Sequence, residues 1–316
     1  MRALKGMWGV LWFLGVGSTR LAAQEVQRGP LVVFNAGSLA KPFSDLFKAF
    51  RTRHPDVVPA QENSGSLEAA RKLTDLGKIP DVIGVADYGV IPKLLIPSYA
   101  GWYANFARNA MVLIHTDQSA GAGEINGQNW WQVLLRTGIR SGRSDPALDP
   151  NGYRTLMVFQ LAEKFYKQPG LADRLLRAFP PKYMRPKEAD LTALVQAGEL
   201  DYSWSYASIA KTAQLPYVDL PDEVDLSNPE LADGYAQAKV RLPGKSRAGK
   251  DSVEFRGEPI VYGLTIPKAA PHPQTAQAFV RFIFSPEGQA ILRADGFTVL
   301  EKPILGGPER PPAGLF

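Results

Sequence analysis

The hexapeptide DPNGYR, residues 149–154, joins two opposed features. A Pro- and Gly-containing turn runs into an apolar, helix-forming segment, and the free backbone N–H groups at a helix N-terminus attract negative charge. Yet the turn opens on a carboxylate, Asp149. Taken alone, Asp149 reads as an acid placed to suit the helix dipole, and Glu188, at the start of EADLTALVQ, reads the same way. Tyr206, after the strand DYSWS, reads alone as a packed aromatic with a wet hydroxyl. NAGSLAKP places Ser38 just after an apolar strand, and NSGSLEAARK places Ser64 and Ser66 after the next. One such serine is an ordinary N-cap. Two Gly-flanked serines after consecutive strands converge on one crevice, where hydroxyls and backbone N–H groups suit a small oxyanion.

Enzyme chemistry finds less support. The histidines His54, His115 and His272 are far apart and form no HExxH or other metal spacing; His54 and His272 stand beside prolines, in expected surface turns. The chain carries no GxSxG elbow, no P-loop and no GxGxxG in a strand-to-helix context. A secreted serine hydrolase would have to use Ser38 or Ser64 as nucleophile, and no histidine lies near either in sequence.

The elements that must hold these residues alternate. LVVFNA is a strand, KPFSDLFKAFRTRHP a helix with Phe43, Leu46, Phe47 and Phe50 on one face, DVVPAQ a strand, SLEAARKLTDLGK a helix ended by Gly77, and PDVIGVAD a strand. That order means a parallel, doubly wound sheet. A second α/β set runs through NAMVLIH, NWWQVLLRTG, GYRTLMVFQLAEKFYKQ, EADLTALVQ and DYSW, and EPIVYGLTIPK, TAQAFVRFIFSPEGQAILRADGF and FTVL return to the first. Residues 220–250 are read as a polar surface loop around one strand, YAQAKVRLP. The expected division is residues 30–108 with 262–316 in one lobe and 109–261 in the other, with chain crossings near Asn109 and Val261. Ligands of such sheets bind at the carboxyl ends of strands, here in a crevice between hinged lobes. Asp87 and Tyr88 follow the third strand and stand near that crevice; Arg154 is placed facing outward from its helix, with charge compensation near the site as the alternative; Trp130 and Trp131 are read as one core and one surface aromatic.

The 316 residues allow two lobes with real cores, and 45% hydrophobic content excludes a disordered chain. MRALKG, then the apolar MWGVLWFLGVG, then TRLAA form a secretory signal peptide cut after Ala23. Its removal takes Arg2, Lys5 and Arg20 and no acid, lowering the formal charge from +5 to +2, so nucleic acid is not implied. Zero cysteines exclude disulfides, Fe–S clusters, thiol catalysis and lipid attachment at a cysteine.

Over nearly the whole mature chain the sequence resembles the periplasmic molybdate/tungstate-binding proteins of ABC importers, and their archaeal branch above all. FNAGSLAKPF, NSGSLEAARKLTDLGKIPDVIGVADYGVIPKLLIP, DPNGYRTLMVFQLAEKFY, RPKEADLTALVQAGELDYSWSYASIAK and GEPIVYGLTIPKAAPHP carry the resemblance. The short AFPPKYMRPKE, before Glu188, departs from it. The resemblance implies a two-lobed type II periplasmic binding protein fold and a non-enzymatic role. It places oxyanion-binding hydroxyls at Ser38, Ser64 (with Ser66 as the alternative) and Tyr206, and helix-start N–H groups near Asn151. It makes Asp149 and Glu188 ligands of the molybdenum or tungsten itself, with Asp145 as the competitor for Asp149. The expected partners are the oxyanion and a membrane permease; the expected protein is an extracytoplasmic monomer without a resident cofactor.

That implication answers the opening conflict. A carboxylate facing only the oxygens of a dianion would cost about 4 kcal/mol per unit pair at 4 Å and an effective dielectric near 20. Two such costs outweigh several hydrogen bonds at about 1 kcal/mol each. Carboxylates that each donate an oxygen to a hard hexavalent metal complete six-coordination with four oxo groups. Sulfur in sulfate does not expand in that way, so the same residues would discriminate against it. The alternative ligand class is sulfate or another tetrahedral oxyanion on the same fold.

Overall fold

The computed structural model describes residues 27–243 and 252–316. The expected signal peptide, residues 1–23, and the basic stretch KSRAGKD lie outside the described residues.

Two sheets organise the chain. The first has six strands in the order β13-β4-β12-β3-β1-β2, where β1 is Gly29–Ala36, β2 Val57–Ser64, β3 Val82–Val85, β4 Tyr103–Arg108, β12 Val261–Thr265 and β13 Thr298–Gly306. The second has five, β7-β6-β8-β5-β9, from β5 Met111–Ile114, β6 Ser141–Ser144, β7 Met184–Arg185, β8 Tyr202–Tyr206 and β9 Tyr217–Asp219. The chain passes from the first sheet to the second between Arg108 and Met111 and is back in the first at Val261.

The strands β1, β2 and β3 are parallel, as their helical crossovers require. The first sheet as a whole is mixed: β12 runs antiparallel to β3 and β4, and β13 antiparallel to β4. Those strands enter from the far end of the sequence, so no crossover helix constrains their direction. In the second sheet β6 is parallel to β7 and β8, while β5 is antiparallel to β8 and β9.

Helix α1 (Ala40–Arg53) buries Phe43, Leu46, Phe47 and Phe50 at helical spacing. Phe43, Phe47 and Phe50 pack against Phe279 from the returning segment. Helix α2 (Ser66–Leu76) ends at Gly77, whose φ of 64° is the left-handed C-cap that glycine adopts without strain. In the second lobe α3 is Trp130–Leu134, α4 Pro150–Phe165, α5 Leu171–Ala178, α6 Glu188–Gln196 and α7 Ala207–Ala213. Trp130 is core, edge-on to Trp204, and Trp131 is half-buried on Tyr166.

Several elements differ from the sequence reading. The polar stretch after Leu220 holds a hairpin, β10 (Lys239–Pro243) with β11 (Ser252–Arg256), instead of one strand. Strands β4, β6 and β9 and helix α5 were not read from the sequence. The strand β6 is Ser-Gly-Arg-Ser, without apolar alternation, yet all four residues are buried. His54 is buried, 2% exposed, with its ring on Phe50 and its Nδ1 accepting from the Gln27 N–H; it is not a surface-turn residue.

Candidate functional site

The parallel strands of both sheets end at one junction. In the first lobe Ser64 closes β2, Ser38 follows β1, and Ala86 and Asp87 follow β3. In the second, Ser144 closes β6 ahead of Asp149, Arg185 closes β7 ahead of Glu188, and Tyr206 closes β8. The side chains Ser38, Ser64, Asp149, Glu188 and Tyr206 are all within 4% of full burial.

Asp149 is the N-cap of α4, as the sequence suggests, with extended φ and ψ of −133° and 132°. Its Oδ1 accepts the Asn151 N–H at 3.1 Å, and its Oδ2 accepts the Glu188 N–H at 2.8 Å. One carboxylate therefore ties the start of α4 to the start of α6. Asn151, expected to offer that backbone N–H to an oxyanion, spends it on Asp149, and its Oδ1 accepts from the Ser144 hydroxyl. Asp145, the competing acid, accepts the Ala147 N–H in the preceding turn.

Glu188 lies one strand further on. Its Oε1 accepts from the Ser205 hydroxyl at 2.5 Å and from the Tyr206 N–H at 2.8 Å. Burial, opposed by the two backbone N–H groups on it, pushes Asp149 up to about 6. Burial and the nearby Asp149 charge push Glu188 up to about 8. Two carboxyl groups are thus held by donors at the junction, where the Asp149 charge disfavours that of Glu188.

The serines separate cleanly. Ser66 accepts the Ala86 N–H at 2.9 Å and pins α2 to the end of β3. The Ser64 hydroxyl is buried with no hydrogen-bond partner among the described residues. Ser38 accepts from the Tyr262 hydroxyl at 2.9 Å. Neither Ser38 nor Ser64 caps a helix: Leu39 and Gly65 hold the N-cap positions, without side-chain capping bonds.

The lobes meet closely here. A Cβ on Gly65 would overlap the Leu148 carbonyl and stand 2.9 Å from the Asp149 Cα. The Glu68 N–H donates to the Leu148 carbonyl at 3.2 Å. Arg71, 5% exposed, donates to the Ala147 carbonyl at 2.5 Å and the Pro243 carbonyl at 2.7 Å.

Arg154 corrects the sequence reading most sharply. It is 2% exposed and points inward. Its Nη1 donates to the Ala86 carbonyl at 2.7 Å and to the Tyr206 hydroxyl at 3.0 Å, and its Nη2 stands 3.9 Å from Asp87 Oδ1. Asp87 in turn accepts from the Tyr153 hydroxyl and, at 2.8 Å, from the Gly89 N–H. The sequence reading misses Tyr262 and Ser205, and it offers the inward, charge-compensating Arg154 only as the alternative. The available signal was a lone arginine in an apolar helix and hydroxyls inside buried strands.

No histidine serves either serine. His54 engages Gln27, His115 the Thr116 carbonyl and His272 Asp81. Among the described residues no group of three or more His, Cys, Asp and Glu is arranged to hold a metal ion, and no helix is long and apolar enough to cross a membrane.

A family model described as bacterial extracellular solute-binding protein matches residues 31–298. An uncharacterized solute-binding protein of Petrotoga mobilis is 45% identical over 291 residues, covering 92% of this chain and 90% of its own. The molybdate/tungstate-binding protein WtpA of Pyrococcus abyssi is 36% identical over 324 residues, covering 94% and 92%. Among solved structures, the periplasmic molybdate-binding protein of Azotobacter vinelandii superposes with a TM-score of 0.60 at 17% identity, covering 85% of this chain and 99% of that one. The sulfate-binding protein SubI of Mycobacterium tuberculosis does so at 0.60 and 14%, covering 86% and 87%. These two share the type II periplasmic binding protein fold. The chain belongs to the bacterial extracellular solute-binding protein family, within reach of its molybdate/tungstate-binding members.

Proposed function

We propose that the protein captures tungstate or molybdate between its lobes and delivers it to the permease of an ABC importer, as an exported monomer without a resident cofactor. The observation that carries this reading is the pair Asp149 and Glu188, buried together at the junction with no directly bonded cation among the described residues. Wherever these groups are charged, a simple dianion that meets only their oxygens would be repelled. A bare cation would find two carboxylates where hard cations take six or more oxygens. A metal centre that arrives with four oxo groups needs two more oxygens, and these residues supply them. Ser38, Ser64 and Tyr206 would donate hydrogen bonds to the oxo groups. The relatives named molybdate/tungstate-binding proteins support the same ligand.

The test is calorimetric titration of the mature protein with tungstate, molybdate and sulfate, repeated on Asp149→Ala with Glu188→Ala. The wild type should bind the first two at least a hundredfold more tightly than sulfate, and the double variant should lose most of that ratio. A ratio unchanged by the double substitution would sink the metal-ligand role. Equal sulfate binding by the wild type would make the site a plain hydrogen-bonding oxyanion cleft.

A further inference from the structure

We propose that Tyr262 is the positioning residue that makes the Ser38 hydroxyl a donor toward the ligand, set in place by Asn109 at the crossing between the sheets. The proposal rests on the oxyanion reading above.

Asn109 is 6% exposed, between β4 and β5. Its Oδ1 accepts the N–H of Ala110 at 3.0 Å and of Ser208 at 3.2 Å. A backbone N–H only donates, so the amide oxygen must face these two groups and the NH2 must face away from them. That NH2 reaches the Ser208 hydroxyl at 2.7 Å and the Tyr262 hydroxyl at 3.3 Å. An amide NH2 has no acceptor capacity, so the Tyr262 oxygen accepts and its own hydrogen is left for Ser38 Oγ, 2.9 Å away. Ser38 then accepts from Tyr262, and its hydrogen must point elsewhere. Among the described residues its hydroxyl has no other hydrogen bond, and that leaves the junction holding Asp149 and Glu188.

The tyrosine ring cannot swing to break this order. It is fully buried, edge-on to Phe297 at 5.0 Å, Tyr206 at 6.0 Å and Phe106 at 6.2 Å. The same logic acts on Tyr206. A guanidinium only donates, so the bond from Arg154 occupies the Tyr206 oxygen and turns its hydrogen outward. Both hydroxyls are thereby presented hydrogen-first, the orientation an oxyanion requires. A serine free to rotate would present lone pairs part of the time and lose that freedom on binding. The first links also join the lobes: Ser208 and Ala110 lie on the second-sheet side of the crossing, Tyr262 and Ser38 on the first.

The experiment is a double-variant cycle of wild type, Tyr262→Phe, Ser38→Ala and the pair, each titrated with tungstate. Phenylalanine keeps the ring and removes only the hydroxyl. Tyr262→Phe should weaken binding about tenfold beside Ser38 and less than twofold in the Ser38→Ala background. An equal loss in both backgrounds would mean that the tyrosine acts through packing and would overturn the proposal, as would no loss in either. Melting the same four proteins without ligand should show that Tyr262 and Ser38 are coupled; independent effects there would also overturn it. Wild-type protein that binds none of tungstate, molybdate and sulfate overturns the functional reading and the positioning role with it. A failure of the relay alone shows as normal wild-type binding with uncoupled variants.

Discussion

At the scale of residues, two serines two positions apart do different jobs. The Ser66 oxygen takes the Ala86 N–H, a bond inside the first lobe, whereas Ser64 keeps a buried hydroxyl without a partner among the described residues. A buried polar atom left unpaired costs about 1–3 kcal/mol, and a hydroxyl of that kind at a strand end beside Asp149 suits the ligand contact proposed above. Ser64→Ala should therefore leave the melting temperature of the free protein unchanged or slightly raised and weaken tungstate binding about tenfold. Ser66→Ala should do the reverse, lowering stability by about 1–2 kcal/mol with less effect on affinity. Thermal melts paired with calorimetry check both, and a Ser66→Ala variant that binds tenfold more weakly without melting earlier would contradict the division. Arg154 belongs to the same scale. A guanidinium buried between Ala86, Asp87 and Tyr206 offsets part of the negative charge that Asp149 and Glu188 gather nearby.

At the scale of elements, the loop between β2 and α2 meets the loop before α4. Gly65 has a φ of −66°, so any residue fits its backbone; what excludes a side chain is the Leu148 carbonyl of the other lobe. The substitution Gly65→Ala separates folding from closure. It adds no local strain, but its Cβ keeps Leu148 and Asp149 from approaching. The variant should fold with near wild-type stability, lose at least a hundredfold in tungstate affinity, and scatter at small angles as a more extended particle when ligand is added. Wild-type affinity in that variant would show that the contact at Gly65 is dispensable for binding.

At the scale of the whole molecule, the packed junction buries acids. Burial raises Asp149 to about 6 and Glu188 to about 8, the latter also through Asp149, and raises Asp225 to about 7. A carboxyl whose folded pKa lies above its unfolded value favours the folded state fully below the unfolded value, near 4, and that contribution is lost as pH climbs through the folded value. The ligand-free protein should therefore melt several degrees lower at pH 8.5 than at pH 5. Replacing Asp225, away from the site, by asparagine should flatten the part of that slope between about pH 4 and 7. A melting temperature that rises steadily from pH 5 to 8.5 in the free protein would contradict burial raising the pKa values of these groups.

The sequence by itself determined the alternation of strands and helices, the chemistry available at strand ends, and the resemblance to a family whose members bind molybdate and tungstate. These are local or linear properties: the α1 phenylalanines recur at helical spacing, and Gly77 ends α2 because only the local backbone decides it. Tertiary structure alone decided which serine is spent and which is left open, because Ser64 and Ser66 have the same local chemistry and differ only in whether the Ala86 N–H comes near. It decided that Arg154 faces inward, since a charge in the apolar first half of α4 is stable buried only where partners such as Tyr206 and the Ala86 carbonyl receive it. It found β6 in a polar Ser-Gly-Arg-Ser segment, which neighbours on both sides make into a central strand. And it joined Asn109, Tyr262 and Ser38, residues that the sequence keeps far apart, because a hydrogen bond depends on distance in space and the chain crosses between the lobes where they meet.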